Sequence, residues 1–322
     1  MNIQMQRPTF IKKLCFLLFT VFLFLFCPYK KEVCASSYPS SNNGYSYLQV
    51  PTQITKCRNT YFIVDCYHDQ IIYSENLGAP LKQWKIMTNN VCQPHALASD
   101  GTVYLVVDTE NHRVISYEKG SDRFRELQTF EHIGNRPHYV TYEPSDGLFY
   151  VWSSLTGEMF LFRRTPGTSE LTLAEVRSVP ILNGLYVRSF TIVGDSILFP
   201  CVELGCILQV NRYSFEIEQL YPVPDTIAGM VQITPIQNYF YITVSSDRSY
   251  DRSYATIVRT ADLSQLQYGN YEDLKHLFGN NGTPYYISQF DGSYFMIHED
   301  VSPGIYRFDV QDNTIRNIKG MH

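Results

Sequence analysis

The sequence predicts an all-β fold, and three features of the chain carry that prediction. Tyrosine and phenylalanine are abundant, with 25 and 20 copies, and aromatic side chains favour the pleated, half-buried surface of a β-sheet. One aromatic strand motif recurs six times, each time within the same succession of short strands and turns. Four short strands repeated about every 45 residues are typical of propeller blades. We therefore predict a six-bladed β-propeller of four-stranded blades.

The six copies of the strand motif set the number and extent of the blades. In chain order the copies read TYFIVDC, TVYLVVD, GLFYVWS, SILFPCV, YFYITVS and SYFMIHE. Their second residues are spaced 42, 45, 49, 43 and 54 residues apart. A weaker strand and a turn precede each copy, and a third strand follows it. The predicted propeller spans 51–322, with blades at about 51–90, 93–131, 136–178, 186–222, 229–268 and 283–320.

The longest spacing indicates an insertion between blades 5 and 6. It contains NYEDLKHLFGNN, residues 270–281, in which Asn270 is a suitable N-cap. Glu272 and Asp273 suit a first helical turn, and Gly279 suits a helix end. We expect one short helix here.

The first 35 residues resemble a leader rather than part of the fold. Basic residues precede Leu14–Cys27, a 14-residue apolar run, and a polar stretch ends at Ala35. This order is typical of a secretory signal peptide, and the run is shorter than the roughly 20 residues of a spanning helix. An uncleaved anchor is the alternative. We expect residues 36–50 to form a flexible lead-in, and the protein to be secreted or held at the cell envelope.

The charge balance argues against nucleic acid as a partner. Residues 1–35 hold five basic residues and one acidic residue, so the rest of the chain carries 21 basic and 30 acidic residues, a net charge of −9. Binding to phosphate backbones needs clustered lysine and arginine. We expect a monomer that binds a protein, a peptide, a glycan or a small molecule.

One repeat carries a family resemblance. DGTVYLVVDTENHRVISYE, residues 100–118, resembles an NHL repeat in its strand, Asp108 and the following Asn111 and Arg113. The match at motif level covers residues 93–131 and is partial over 136–164. It implies a six-bladed propeller, but the resemblance extends to lyases, lactonases and binding modules, so fold does not choose a function.

The innermost strand of each blade lines the central channel of a propeller, where ligands bind. Counting back eight residues from the second residue of each strand motif gives one equivalent position per blade, and His138 joins through a Pro-His phrase that it shares with His95. Arg188 and Tyr285 are adjacent in sequence to two of these positions. The predicted channel-mouth residues are Gln53, His95, His138, Arg188, Ser189, Gln232, Tyr285 and Tyr286.

The two histidines leave two interpretations open. They are either structural features of the blade or ligands of a divalent metal, zinc or calcium, as in the metal-dependent enzymes that the resemblance includes. A zinc lyase site needs three histidines, and only His95 and His138 occupy equivalent positions. The ring holds no Asp or Glu, which disfavours calcium.

Two further features are candidate sites. The loop SSDRSYDRSY, residues 245–254, is rich in residue types that form interaction hot spots, Arg248, Tyr250, Arg252 and Tyr254. Cys201 and Cys206 flank a predicted hairpin turn, where they form either a disulfide or two buried thiols. We expect a secreted or cell-surface binding module that uses its channel mouth or this loop, and the alternative is a metal-dependent lyase or hydrolase.

Overall fold

The structure, a computed structural model, describes residues 47–279, 282–300 and 304–322. Within these residues, twenty-four strands form six four-stranded antiparallel sheets, and each sheet takes its strands consecutively from the chain. The predicted six-bladed β-propeller is therefore confirmed.

The strands are given blade by blade. Blades 1 to 3 consist of β1 Pro51–Cys57, β2 Thr60–Asp65, β3 Gln70–Ser74, β4 Lys85–Thr88; β5 Leu97–Ser99, β6 Val103–Asp108, β7 Arg113–Lys119, β8 Phe124–Phe130; β9 Pro137–Glu143, β10 Leu148–Ser153, β11 Glu158–Arg164 and β12 Leu171–Ser178. Blades 4 to 6 consist of β13 Thr191–Val193, β14 Ser196–Cys201, β15 Cys206–Asn211, β16 Ile217–Pro222; β17 Gly229–Ile236, β18 Tyr239–Ser246, β19 Thr256–Thr260, β20 Glu272–Asp273; β21 Thr283–Phe290, β22 Ser293–Glu299, β23 Ile305–Gln311 and β24 Thr314–Met321.

The helix expected between blades 5 and 6 is reduced to a 3-10 turn, Lys275–Leu277. Glu272 and Asp273, which the sequence placed in its first turn, instead pair with β19 as the fourth strand of blade 5. The other described 3-10 helices are Cys66–His68, Leu81–Gln83, Pro180–Leu182, Asp225–Ile227, Arg252–Tyr254 and Leu263–Tyr268.

The hydrophobic core lies between neighbouring blades. Successive side chains of a strand point to opposite faces of the sheet, and β10 shows the consequence. Phe149 and Val151 pack in the cluster that includes blade 2, whereas Tyr150 and Trp152 pack against blade 4. Both faces of the second strand of a blade are therefore buried, which explains the near-continuous apolar runs in the six sequence copies.

The predicted leader, residues 1–35, and most of the lead-in, residues 36–50, lie outside the described residues. The described part of the lead-in is held to blade 1, because the backbone N–H of Gln49 donates to Asp65 Oδ1 over 2.7 Å. No helix in the described ranges is long and apolar enough to cross a membrane.

Candidate ligand-binding site at the channel mouth

The first strands of the six blades surround the central channel, and side chains meet across it. Tyr139 of blade 3 accepts a hydrogen bond from Gln232 Nε2 of blade 5 over 3.1 Å. His138 of blade 3 contacts Tyr286 of blade 6. These contacts divide the channel into two ends. Gln232, His138 and Tyr286, which the sequence assigned to the channel mouth, therefore form contacts across the middle of the channel.

Three predicted channel residues join blades. Gln53 Oε1 accepts the backbone N–H of Leu97 in the next blade over 2.8 Å, and Gln232 Oε1 accepts that of Ile287 over 2.7 Å. Ser189 Oγ donates to the Val231 carbonyl over 2.5 Å. These polar groups are hydrogen-bonded to buried backbone groups of the next blade, so their role is structural.

The two Pro-His histidines stack on each other, with ring centroids 3.8 Å apart. His95 Nδ1 lies 2.8 Å from the Gln93 carbonyl oxygen. A carbonyl can only accept, so Nδ1 carries the proton and Nε2 is an acceptor. Nε2 lies 3.8 Å from Cys66 Sγ, a geometry in which the thiol donates to the imidazole.

His138 has both ring nitrogens bonded to tyrosines. The Tyr286 hydroxyl donates to the Arg188 carbonyl over 3.0 Å, so its oxygen accepts from His138 Nδ1, also over 3.0 Å. His138 Nε2 lies 2.9 Å from the Tyr186 hydroxyl and accepts from it. The neutral imidazole is therefore fully satisfied.

Burial keeps both imidazoles uncharged. It lowers the pKa of His95 to about 3, with Arg136 and Arg188 adding repulsion. The pKa of His138 also falls well below its usual range, mainly through burial, with a further contribution from His95. Neither histidine is an acid or base near neutral pH.

Arg188 is half-buried and forms no ion pair with a described carboxylate. Its Nη1 donates to Ser245 Oγ over 2.9 Å, and its guanidinium carbon lies 5.1 Å from the ring centre of Tyr186. Arg136 lies on the same ring at 5.7 Å, but it is paired with Glu110 over 2.8 Å. Arg188 thus differs from Arg136 in having no ion pair among the described residues, and its guanidinium retains donors for a ligand.

Glu299 is the last residue of β22 and is 7% exposed. Burial raises the pKa of its carboxyl to about 7, which the positive charge of Arg188 partly opposes. The side chain has no hydrogen-bond partner among the described residues. We call this end of the channel the upper mouth and define it by His95, His138, Tyr186, Arg188, Tyr285 and Glu299.

The opposite end opens into a separate polar cavity of about 300 Å³. We call it the lower cavity. Its lining includes Thr55, Ser99, Thr141, Ser288 and Gln289. Gln53 and Tyr139 line it as well, so part of the predicted ring faces away from the upper mouth.

The loop between β18 and β19 is folded over the neighbouring blades. Arg248 Nη2 donates to the Glu203 carbonyl over 2.9 Å, and the Tyr250 hydroxyl donates to Glu203 Oε1 over 2.7 Å. Arg252 Nη1 contacts Asp300 Oδ2 over 2.9 Å. The loop thereby spans from blade 4 to blade 6 and forms part of the rim. The last of the four predicted loop residues, Tyr254, is 45% exposed.

The two cysteines flanking the predicted hairpin turn are direct cross-strand partners, Cys201 of β14 and Cys206 of β15. Both thiols are free, so the disulfide that the sequence left open is not formed in this structure. Burial raises the pKa of Cys201 to about 12 and also raises that of Cys206. Both behave as small buried apolar side chains.

The arrangement of the two histidines does not fit a metal site. Imidazoles bonded to one tetrahedral zinc at about 2.0–2.1 Å have ring centres about 5 Å apart, whereas those of His95 and His138 are 3.8 Å apart. Their Nε2 atoms face Cys66 and Tyr186. Within the described ranges, no three His, Cys, Asp or Glu side chains are grouped as metal ligands.

The sequence analysis did not identify Tyr186 or Glu299 as site residues. Glu299 could have been found, because it occupies an equivalent position in the repeated strand motif. The seventh residue of each strand motif lies at the upper end of its blade. That position is Cys66 in blade 1, Ser245 in blade 5 and Glu299 in blade 6, and each contacts or electrostatically influences an upper-mouth residue. Tyr186 has no such repeat position.

Comparison with known proteins supports the fold alone. No protein-family model and no curated protein matches the sequence. The structure is similar to hydrazine synthase of Kuenenia stuttgartiensis, with a TM-score of 0.56, 15% identity, and coverage of 84% of this chain and 80% of that one. The NHL resemblance is therefore not confirmed beyond the shared propeller architecture.

Two other solved structures illustrate the range of proteins that share this fold. A putative 6-phosphogluconolactonase from Bacteroides uniformis gives a TM-score of 0.56 at 12% identity, with 82% of this chain and 81% of that chain covered. Sqt1 of Saccharomyces cerevisiae gives 0.51 at 11% identity, with 81% and 70% covered. At these identities the likeness concerns architecture and does not identify a function.

Proposed function

We propose that this protein is a ligand-binding propeller that acts outside the cytosol, and that its upper mouth binds a small molecule carrying a carboxylate or phosphate group. The location follows from the predicted leader. The observation that carries the binding proposal is the half-buried Arg188 guanidinium, which contacts the hydroxyl groups of Ser245 and Tyr186 but has no ion pair within the described residues.

The energetics favour an anion at this position. A charged group removed from water is costly unless it is paired, and a guanidinium offers five donors in a planar fork that matches carboxylate and phosphate. Arg188 uses Nη1 on Ser245. A ligand oxyanion supplies the missing partner and offsets the desolvation cost.

The surroundings of Arg188 support a binding role over acid–base chemistry by the histidines. His95 and His138 are neutral and fully hydrogen-bonded, so they position Tyr186 and Tyr286 rather than transfer protons. Two similar folds carry the name putative 6-phosphogluconolactonase, which is a reason to include sugar phosphates among the test ligands.

The test is calorimetric titration of the purified protein with small carboxylates, inorganic phosphate and sugar phosphates. We expect at least one to bind, and Arg188→Gln to weaken it about ten-fold or more, because a hydrogen bond to a charged group contributes about 1.5–3 kcal/mol. Arg123→Gln, on an exposed turn, is the matched control. Equal weakening by both variants, or the absence of any binding, contradicts the proposal.

A third variant separates the upper mouth from the rim loop. Arg248→Gln removes a guanidinium that already donates hydrogen bonds to the Glu203 carbonyl and to the Asp225 carboxylate. We expect a smaller effect on binding than Arg188→Gln produces. A larger effect places the ligand on the loop and not in the mouth.

A further inference from the structure

The upper mouth holds two opposite charges that are not bonded to each other. Arg188 and Glu299 interact electrostatically, yet they do not form an ion pair. Glu299 is nine-tenths buried and its carboxyl has no hydrogen-bond partner among the described residues. Buried charges in proteins are normally paired and hydrogen-bonded, but within the described residues neither group has a partner of opposite charge bonded to it.

We propose that the upper mouth binds a zwitterion, with the ligand's carboxylate on Arg188 and its ammonium group on Glu299. This inference rests on the proposed function and narrows the ligand class to free amino acids and closely related amino carboxylates. A ligand with a single anionic group satisfies Arg188 alone and leaves the buried carboxyl unpaired. A zwitterion satisfies both side chains while adding no net charge to the site.

The aromatic surroundings fit an ammonium group. Tyr285 lies within electrostatic range of Glu299 and packs against Tyr286 at a centroid distance of 4.5 Å. Tyr186 already accommodates Arg188 on its ring. Tyrosine faces attract cations, so these rings provide a low-polarity wall that favours a compact ammonium next to a carboxylate partner.

Ionisation of Glu299 sets the expected pH dependence of zwitterion binding. The charged or titratable groups that act on Glu299 or are acted on by it are Arg188, Arg252, Asp300, Cys66, Tyr67 and Tyr285. Of these, the two arginines are cationic and Asp300 is an exposed carboxylate, and the thiol and phenols stay neutral because burial raises their pKa. The pKa of Glu299 is about 7, so affinity for the zwitterion rises between about pH 6 and pH 8.

The experiment screens the twenty protein L-amino acids, one at a time, by calorimetry on the purified protein. The best binder is then compared with its 2-hydroxy acid, which lacks the ammonium group, and with its decarboxylated amine. We expect the amino acid to bind about ten-fold or more tightly than the hydroxy acid, because one charged hydrogen bond is lost. We expect that ratio to fall to about two-fold or less in Glu299→Gln.

The outcomes distinguish this inference from the function on which it rests. If hydroxy acids or phosphates bind through Arg188 but no amino acid binds more tightly, the inference of a zwitterionic ligand is wrong, whereas the proposed anion site is supported. If no carboxylate, phosphate or amino acid binds, both are wrong. Glu216→Gln, an exposed change on blade 4, and the melting temperature of each variant control for misfolding. A Glu299→Gln variant that is folded and keeps the full ratio overturns the inference.

Discussion

Individual side chains at the upper mouth show why chemistry cannot be assigned from residue type alone. His95 and His138 are the residues that a sequence reader selects first, because imidazole is both a metal ligand and a base near neutral pH. In the structure their nitrogens are all bonded to Gln93, Cys66, Tyr186 and Tyr286. The spacing of the two histidines along the chain is visible in the sequence. Their hydrogen-bond partners cannot be read from it, because these come from four separate positions in the chain.

Glu299 provides a prediction at the residue scale. Its carboxyl has an ordinary pKa of 4.5 in the unfolded chain and about 7 in the folded protein. Between these values the folded state holds a proton that the unfolded state releases, so stability falls as pH rises through this window. The expected loss is about 3 kcal/mol, taking about 1.4 kcal/mol per pKa unit.

The measurement is urea unfolding of the wild type and Glu299→Gln between pH 4.5 and pH 8. The difference in unfolding free energy should move in favour of the variant by about 3 kcal/mol as pH rises. The titration of His95 and His138 contributes equally to both proteins and cancels. A difference that does not change with pH is incompatible with a buried, unpartnered carboxyl.

At the scale of elements, the strand pattern of the sequence predicts the strands of the blades correctly, but the structure of the insertion between blades 5 and 6 is predicted wrongly. In the turn after β6, Asp108 Oδ2 accepts from Arg113 Nε over 2.6 Å, so two residues of the repeated motif stabilise this turn. The segment after β19 does not form the helix that the sequence predicted. Glu272 and Asp273 have good helix-start chemistry, but hydrogen bonding to the free edge of β19 outweighs that local preference, as tertiary context commonly does.

The junctions between blades give a second prediction. Gln232→Leu removes the acceptor of the buried Ile287 N–H, and an unsatisfied buried donor costs about 1–3 kcal/mol. We expect unfolding free energy to drop by that amount. The matched control is Gln219→Leu on the exposed strand β16, where the amide reaches only the neighbouring carbonyl. A Gln232→Leu protein as stable as its control means that the junction glutamines do not hold the blades together.

At the scale of the whole molecule, the described strands close the ring without exchange between blades, because every blade takes its four strands from consecutive chain. Side chains join blade 6 to blade 1 instead. Asp291 accepts from Lys56 over 2.5 Å and from the Tyr61 hydroxyl over 2.7 Å, and His322 packs edge-on against Trp84 at 5.6 Å. The repeat count predicts the ring, but no local signal predicts which distant side chains close it.

The channel of the closed ring has two polar ends, the upper mouth and the lower cavity of about 300 Å³. Only the upper mouth presents a guanidinium without an ion pair among the described residues. In the lower cavity, the lysine in the lining, Lys56, is paired with Asp291. A small anion should therefore distinguish between the two ends.

The most direct test is a crystal structure of the protein soaked with 3-bromobenzoate, a carboxylate whose unreactive aryl bromine is located by anomalous scattering. We predict a bromine peak in the upper mouth, with the carboxylate bonded to Arg188 in crystals of the wild type and the peak lost in Arg188→Gln. A peak confined to the lower cavity or to the outer surface would contradict the anion site and the function built on it.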